Sequence, residues 1–292
     1  VEFVHYVFGG LLERSDRIIQ NTLRGTMTKD DLTVVYYTSN FLEKTNPFFL
    51  KNTKDALVKA IGELPLLVVS SEPVNKRTFE GYEGEYTNLV ADRDFKPIRE
   101  GRHHLNIYQN IMIGSKSAKT EYVAMAEDDI LYSHNHFHSP QIYKDFSVHG
   151  DAFLYDMNKV SLFTWTNPPM FSFRSKRMVV NQLIAPAKML ADSMEERFER
   201  LDYLMNVKGK PEESVLRIWG DPGRYHKHLG VQERKMVQYY CNNPSIVFTH
   251  PKAYGYLNHG KRKRLGDIRI IELHGWGKAK DILKLWGTQA TE

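Results

Sequence analysis

Glu127-Asp128-Asp129 closes an apolar run, Tyr122-Val123-Ala124-Met125-Ala126, and Ile130-Leu131-Tyr132 follow at once. The run has no polar alternation, so it predicts a strand buried on both faces, the pattern of a central strand in an α/β sheet. Three carboxylates then stand where that strand ends, and open α/β sheets bind their ligands outside the carboxyl ends of the strands. Side chains alternate along a strand, which points Glu127 and Asp129 one way and Asp128 the other. Carboxylates so placed repel one another, and a divalent cation relieves the repulsion. Hard oxygen ligands suit Mn²⁺ or Mg²⁺. The bland alternative is an acidic turn after a strand.

The elements that must position this triplet are legible around it. Leu32–Tyr37 is β-branched and aromatic and predicts a first strand, ending in the small polar residues Thr38-Ser39-Asn40. Pro47–Ile61 has helical spacing of apolar residues, with Asn46 as its cap and Gly62 after it. Leu64–Ser70 predicts a second buried strand, residues 72–101 a long surface loop or insertion, and Leu105–Ala118 a helix. Strand, helix, strand, loop, helix, strand is the order of a doubly wound, mostly parallel sheet with helices on both faces. In the second half, Val160–Trp165, Met178–Ile184 and Ser245–Thr249 read as strands. Pro186–Leu201, Glu212–Trp219 and Lys278–Trp286 read as helices. The expected organisation is an N-terminal extension over 1–30, a ligand-binding half over 31–150, and a loop-rich acceptor half with a basic tail over 151–292.

Composition bounds the function classes. A chain of 292 residues, 41% hydrophobic and 26% charged, is long enough for a sizeable core and is not a disordered composition. No apolar run approaches the roughly 20 residues of a membrane span. Val1–Leu12 is interrupted by Glu2, His5 and Gly9-Gly10 and has no basic leader, so no signal peptide is expected. The single cysteine, Cys241, excludes an internal disulfide, implies no disulfide-linked partner and fits a reducing cytoplasm. The net charge of +5 is uneven: residues 201–292 hold 16 Lys+Arg against 9 Asp+Glu. A basic C-terminal third beside an acidic cluster suits a phosphate-bearing ligand that needs a metal, and equally a nucleic-acid footprint.

Leu32–Asn40, Asn106–Ala118 and Thr120–Asp129 together resemble the nucleotide-sugar half of GT-A fold glycosyltransferases. In that family small polar residues at a strand end hold the nucleotide, an Asn-rich helix follows, and a buried strand ends in a D-x-D motif. Glu127-Asp128-Asp129 stands in that place, with Glu127 in the position of the first Asp. The resemblance covers roughly residues 32–135. It implies a nucleoside-diphosphate-sugar donor, with a UDP-sugar foremost, bound by Thr38, Ser39, Asn40, Asn106, Glu127 and Asp128. It also implies a Mn²⁺ or Mg²⁺ ion on Glu127 and Asp129, acting as a Lewis acid on the departing diphosphate. A late histidine often completes such a metal site; His250, after the strand Ser245–Thr249, is the candidate and His259 the second. Inverting members take the acceptor proton with a carboxylate in the second half. Asp221 in Trp219-Gly220-Asp221-Pro222-Gly223 is the candidate base, beside a tryptophan that could stack on a sugar, with Glu212 and Glu213 as alternatives. A plain Asp-Pro-Gly turn is the structural alternative for Asp221.

Two further features carry charge. Lys261-Arg262-Lys263-Arg264, flanked by Gly260 and Gly266, reads as a lid that closes on the donor diphosphate, or as a phosphate contact to a polynucleotide acceptor such as hydroxymethylated DNA. His134, His136 and His138 have no matching Cys or carboxylate set for zinc, and a surface loop is expected there. Two other classes stay open. Nucleotidyl transfer also holds metal on sheet-end carboxylates, although Thr38–Leu42 lacks a glycine-rich phosphate loop. A non-enzymatic nucleic-acid-binding protein with a structural acidic turn would lack any catalytic role for the triplet.

Overall fold

The computed structural model describes residues 27–91, 104–173, 178–250 and 268–287. Its centre is a seven-stranded sheet. The strands are β1 (Leu32–Thr38), β2 (Leu66–Ser70), β3 (Tyr86–Val90) and β4 (Tyr122–Ala126), then β6 (Phe153–Asp156), β9 (Leu183–Pro186) and β10 (Met236–Tyr239). Across the sheet they run β3-β2-β1-β4-β9-β6-β10. All neighbours pair in parallel except β9, which is antiparallel to both β4 and β6. The mostly parallel, doubly wound sheet expected from the sequence is the one present. The chain builds outward from β1 to β3 and then returns to lay β4 on the other side of β1. That reversal puts the topological switch point between β1 and β4.

Every residue of β1, β2 and β4 is buried, because helices cover both faces. On one face Val34 and Tyr36 pack with Leu57 and Ile61 of the helix Pro47–Ile61. On the other, Val35 and Tyr37 pack with Ile111 of the helix His104–Ser117 and with Leu190 and Met194 of the helix Ala187–Asp202. Each such apolar side chain contributes about 1.5–3 kcal/mol when fully buried. The helix His104–Ser117 comes unusually close to the sheet at Gly114, where a Cβ would lie 2.4 Å from Val35 Cγ1. The helix Pro47–Ile61 starts as its sequence dictates: the Asn46 side chain accepts from Phe49 N, Pro47 fills the first turn, and Gly62 at φ 58° ends it.

A second, five-stranded sheet runs β12-β8-β7-β11-β5, built from β5 (Ile130–Leu131), β7 (Lys159–Phe163), β8 (Phe171–Phe173), β11 (Ser245–Thr249) and β12 (Ile268–Ile270). A two-stranded ribbon pairs β13 (Glu272–Leu273) with β14 (Gly277–Lys278). The acidic triplet is therefore the turn that carries the chain from β4 in the large sheet into β5 in the small one.

Several expectations are corrected. Residues 72–91 are not a loop: a 3₁₀ turn at Lys76–Thr78 leads into edge strand β3, whose half-exposed face carries too few apolar residues to announce itself. The expected strand Met178–Ile184 is a 3₁₀ turn, Val180–Gln182, followed by β9. β6, β9 and β10 from the second half continue the same sheet as β1–β4. The histidine trio lies on a short helix, His134–His138, rather than a surface loop. His134 and His138 place ring nitrogens 3.2 Å from the carbonyls of Ala60 and Ile61, satisfying the end of the helix Pro47–Ile61. His136 is fully buried and pairs with Asp156 at 3.0 Å. No helix among the described residues is long and apolar enough to cross a membrane.

Candidate functional site

The three carboxylates sit at the switch point and diverge to three different partners. Glu127 turns toward the face of Tyr37: its Oε1 accepts from the Tyr37 hydroxyl and its Oε2 from Asn181 Nδ2, each at 2.6 Å. Tyr132 closes the arrangement, its hydroxyl accepting from Glu127 N and donating to the Asn181 carbonyl, both at 3.0 Å. Asp128 turns to the opposite face, where its Oδ2 accepts from the Thr38 hydroxyl at 2.8 Å and the Tyr36 phenol lies beside it. Its Oδ1 is buried without a hydrogen-bond partner. Asp129 leaves the sheet, and its Oδ2 lies 3.6 Å from His250 Nε2.

Strand register explains why His250 is there. β11 runs antiparallel to β5 with Val247 opposite Ile130, so Phe248 N donates to the Asp129 carbonyl at 2.9 Å. His250 lies two residues on, on the same side as Phe248. Trp286 packs over both rings, with centroids 4.7 Å from His250 and 6.4 Å from Phe248. The carbonyls of Leu285 and Trp286 accept from Asn52 and Asn46, which ties that C-terminal turn to the helix Pro47–Ile61.

The crowding of carboxylates shows in their protonation. Burial, then the Asp129 charge, pushes Glu127 up to about 7, against the lowering effect of the Asn181 and Tyr37 hydrogen bonds. Burial also pushes Asp128 up to about 6, opposed by the neighbouring Tyr36 phenol and the Thr38 hydrogen bond. Lys54 answers part of this charge from behind. Its ammonium is buried, donates to the Thr78 hydroxyl at 3.0 Å, and is lowered by desolvation while Glu43 and Asp128 pull it back up.

Among the described residues no three His, Cys, Asp or Glu side chains converge on a common point able to hold a metal. Glu127 accepts from Tyr37 and Asn181, and stands near enough to Asp129 for that charge to raise its carboxyl. Asp129 and His250 do face each other. One carboxylate and one imidazole fit a hard divalent ion that keeps water and phosphate oxygens in the rest of its shell, and do not fit a protein-only cage.

The polar residues after β1 are also largely occupied. Asn40, in the left-handed region at φ 56°, accepts from Ser71 N and Glu72 N at 3.0 Å through Oδ1 and donates to Glu43 at 3.1 Å through Nδ2. It staples β1 to β2. Thr38 likewise donates to Asp128 and accepts from Asn40 N. Ser39 is half-buried between them. Asn106 lies one turn before Asn110, whose amide reaches the Thr38 carbonyl at 3.5 Å, and the Asn106 Oδ1 is buried without a partner.

Asp221 comes to the Tyr37 side of the sheet. Its Oδ1 accepts from the Tyr108 hydroxyl at 3.4 Å and from Val180 N at 3.3 Å, next to Asn181; its Oδ2 accepts from Arg224 at 3.1 Å. Buried Arg197 holds the turn by donating to the carbonyls of Trp219 and Arg224. Trp219 cannot stack on a sugar: it is fully buried, against Tyr108 and Phe198. Glu212 opens the helix Glu212–Trp219. His259 and Lys261, Arg262, Lys263 and Arg264 lie outside the described residues. Sequence reasoning missed Tyr37, Tyr132, Asn181, Lys54, Arg197 and Trp286. Only Tyr132, five residues after Glu127, had a local signal.

No family model matches the chain, and no curated protein matches it in sequence. Among solved structures it is similar to S. aureus TarS at 10% identity and a TM-score of 0.40, over 76% of this chain and 37% of that one. It is similar to the apo-form glycosyltransferase GlyE of Streptococcus pneumoniae TIGR4 at 6% identity and 0.36, over 71% and 45%. It is also similar to CMP:2-keto-3-deoxy-manno-octonic acid synthetase complexed with CTP, at 7% and 0.39, over 75% and 93%. The chain thus spans under half the length of TarS and GlyE, and likenesses this distant say nothing of its activity.

Proposed function

We propose that the chain is a metal-dependent glycosyltransferase, which takes a nucleoside diphosphate sugar, a UDP-sugar foremost, and moves the sugar to an acceptor hydroxyl. The observation that supports this reading is the turn Glu127–Asp129 at the β1/β4 switch point, with His250 brought opposite Asp129 by strand register. Asp129 and His250 are the residues that would hold Mn²⁺ or Mg²⁺. Such an ion supplies Lewis-acid stabilisation of the charge that grows on the diphosphate as the sugar leaves. Asn106, Ser39 and the backbone of Thr38–Asn40 line the nucleotide end, and Asp128 is held toward it by Thr38.

Asp221 serves as the general base of an inverting transfer. The acceptor oxygen bonds to the anomeric carbon, the bond from that carbon to the diphosphate oxygen breaks, and the acceptor proton passes to Asp221. Its existing donors, Tyr108 and Arg224, hold the carboxylate in place while that proton arrives.

Titration calorimetry with UDP, GDP and their sugars, with and without Mn²⁺, tests the donor. Micromolar, Mn²⁺-dependent binding of one diphosphate is expected, and no binding across the panel overturns the reading. Turnover assays with saccharide and hydroxymethylated-DNA acceptors then assign the acceptor. Pyrophosphate release from a nucleoside triphosphate and a sugar phosphate would mark nucleotidyl transfer instead.

A further inference from the structure

We infer that Tyr37 and Asn181 are positioning residues that turn Glu127 away from the metal, so that the ion falls to Asp129 and His250 with the donor diphosphate completing its shell. This rests on the functional reading above and departs from the ligand set the sequence suggests, in which Glu127 is a ligand.

The two donors come from either side of Glu127. β4 lies between β1 and β9 in the sheet. Tyr37 reaches Glu127 from β1, and Asn181 reaches it from the turn that enters β9. One oxygen of the carboxylate goes to each, at 2.6 Å. Tyr132 then links the Glu127 amide to the Asn181 carbonyl, which fixes Asn181 as well as the strand end. A carboxylate clamped from two neighbouring strands has no low-cost rotamer toward Asp129, because turning it would strand a phenol and an amide. Asp129 is held differently: its carbonyl accepts from Phe248 N, and among the described residues its carboxylate faces His250. The divergence matches the absence, among the described residues, of any three-ligand cluster. An ion shared with a diphosphate needs only one or two protein groups.

Mn²⁺ binding by the full chain, read by electron paramagnetic resonance with and without UDP, tests the assignment. Glu127→Gln should bind Mn²⁺ in the UDP complex within about twofold of wild type, while Asp129→Asn and His250→Gln should each lose tenfold or more. Tyr37→Phe with Asn181→Ala releases Glu127 beside Asp129, and should tighten Mn²⁺ binding without UDP at least threefold. A residue that merely supported the fold would give no such gain. Tyr37→Phe alone keeps the packed ring, removes one donor, and should show a smaller gain in the same direction. Loss of Mn²⁺ in Glu127→Gln equal to that in Asp129→Asn, or unchanged or weaker binding in both clamp variants, overturns the inference alone. Failure of wild type itself to bind Mn²⁺ with UDP overturns the functional reading, and this inference with it.

Discussion

Glu127→Gln should make the metal-free protein more stable at pH 8 and flatten its loss of stability above pH 4.5. The Glu127 carboxyl is pushed up to about 7 from an ordinary 4.5. Between those values the folded chain holds a proton that the unfolded chain has released, so stability falls as pH rises through the window. A rise of that size corresponds to roughly 3 kcal/mol. Solvent reaches this half-buried residue, and allowing for its screening leaves about 2–3 kcal/mol. The substitution can keep the local hydrogen bonds. Tyr37 still donates to the amide oxygen, and Asn181 can turn over to offer its Oδ1, now buried without a partner, to the new Nε2. Urea unfolding of both proteins in EDTA, at half-unit steps from pH 4.5 to 8.5, measures the effect. The difference between the curves reports the Glu127 charge together with its repulsion of Asp128 and Asp129. The variant should match wild type near pH 4.5 and exceed it by about 2–3 kcal/mol at pH 8. Parallel curves, or a variant less stable at pH 8, would refute the reasoning that the charge on Glu127 is held at a cost.

The same contacts set three other outcomes. Asp156→Ala should destabilise the fold by about 3–5 kcal/mol, because it strips buried His136 of its partner and Asn158 N and Cys241 N of their acceptor; calorimetric unfolding reads the loss, and a change under 1 kcal/mol would contradict it. Gly220→Ala places a Cβ 2.2 Å from the Tyr225 ring at a residue of φ 58°, and should cost about 1–3 kcal/mol while lowering turnover through the displaced Asp221; full turnover would show that the turn does not position the base. Asp221→Asn should abolish turnover and leave UDP affinity within about twofold, since a base acts on the acceptor alone. Wild-type turnover in that variant would leave Asp221 as part of the turn.

What the sequence made legible was whatever depends on local pattern. β1, β2 and β4 are apolar along their whole length because both of their faces are covered, and the helix Pro47–Ile61 carries its cap and its terminator in its own residues. The position of the triplet obeys the same rule, since a buried strand must end before three carboxylates can be tolerated. Edge strands β3 and β10 escaped because an edge needs fewer apolar residues than a centre, and their residues are mostly half-exposed. The short helix of histidines escaped for another reason: its side chains satisfy carbonyls 74 and 77 residues away, and nothing near them in sequence reports that.

The site divides along the same line. His250 could be picked out because it follows a recognisable strand, and the pairing of that strand with β5 sets it opposite Asp129. The roles of Asn40 and Trp219 could not be read, since both have the composition of ligand-binding residues and are used by the fold: one staples two strand ends, the other fills a core. Glu127 is the sharpest case. Strand alternation puts it on the side of Asp129, yet the strand ends at Ala126 and the turn begins, so alternation no longer governs where its carboxylate points. Tyr37 and Asn181, 90 and 54 residues distant, set that direction instead. A motif of three acids therefore predicts where charge gathers, while the donors brought in from β1 and from the turn before β9 decide where Glu127 points.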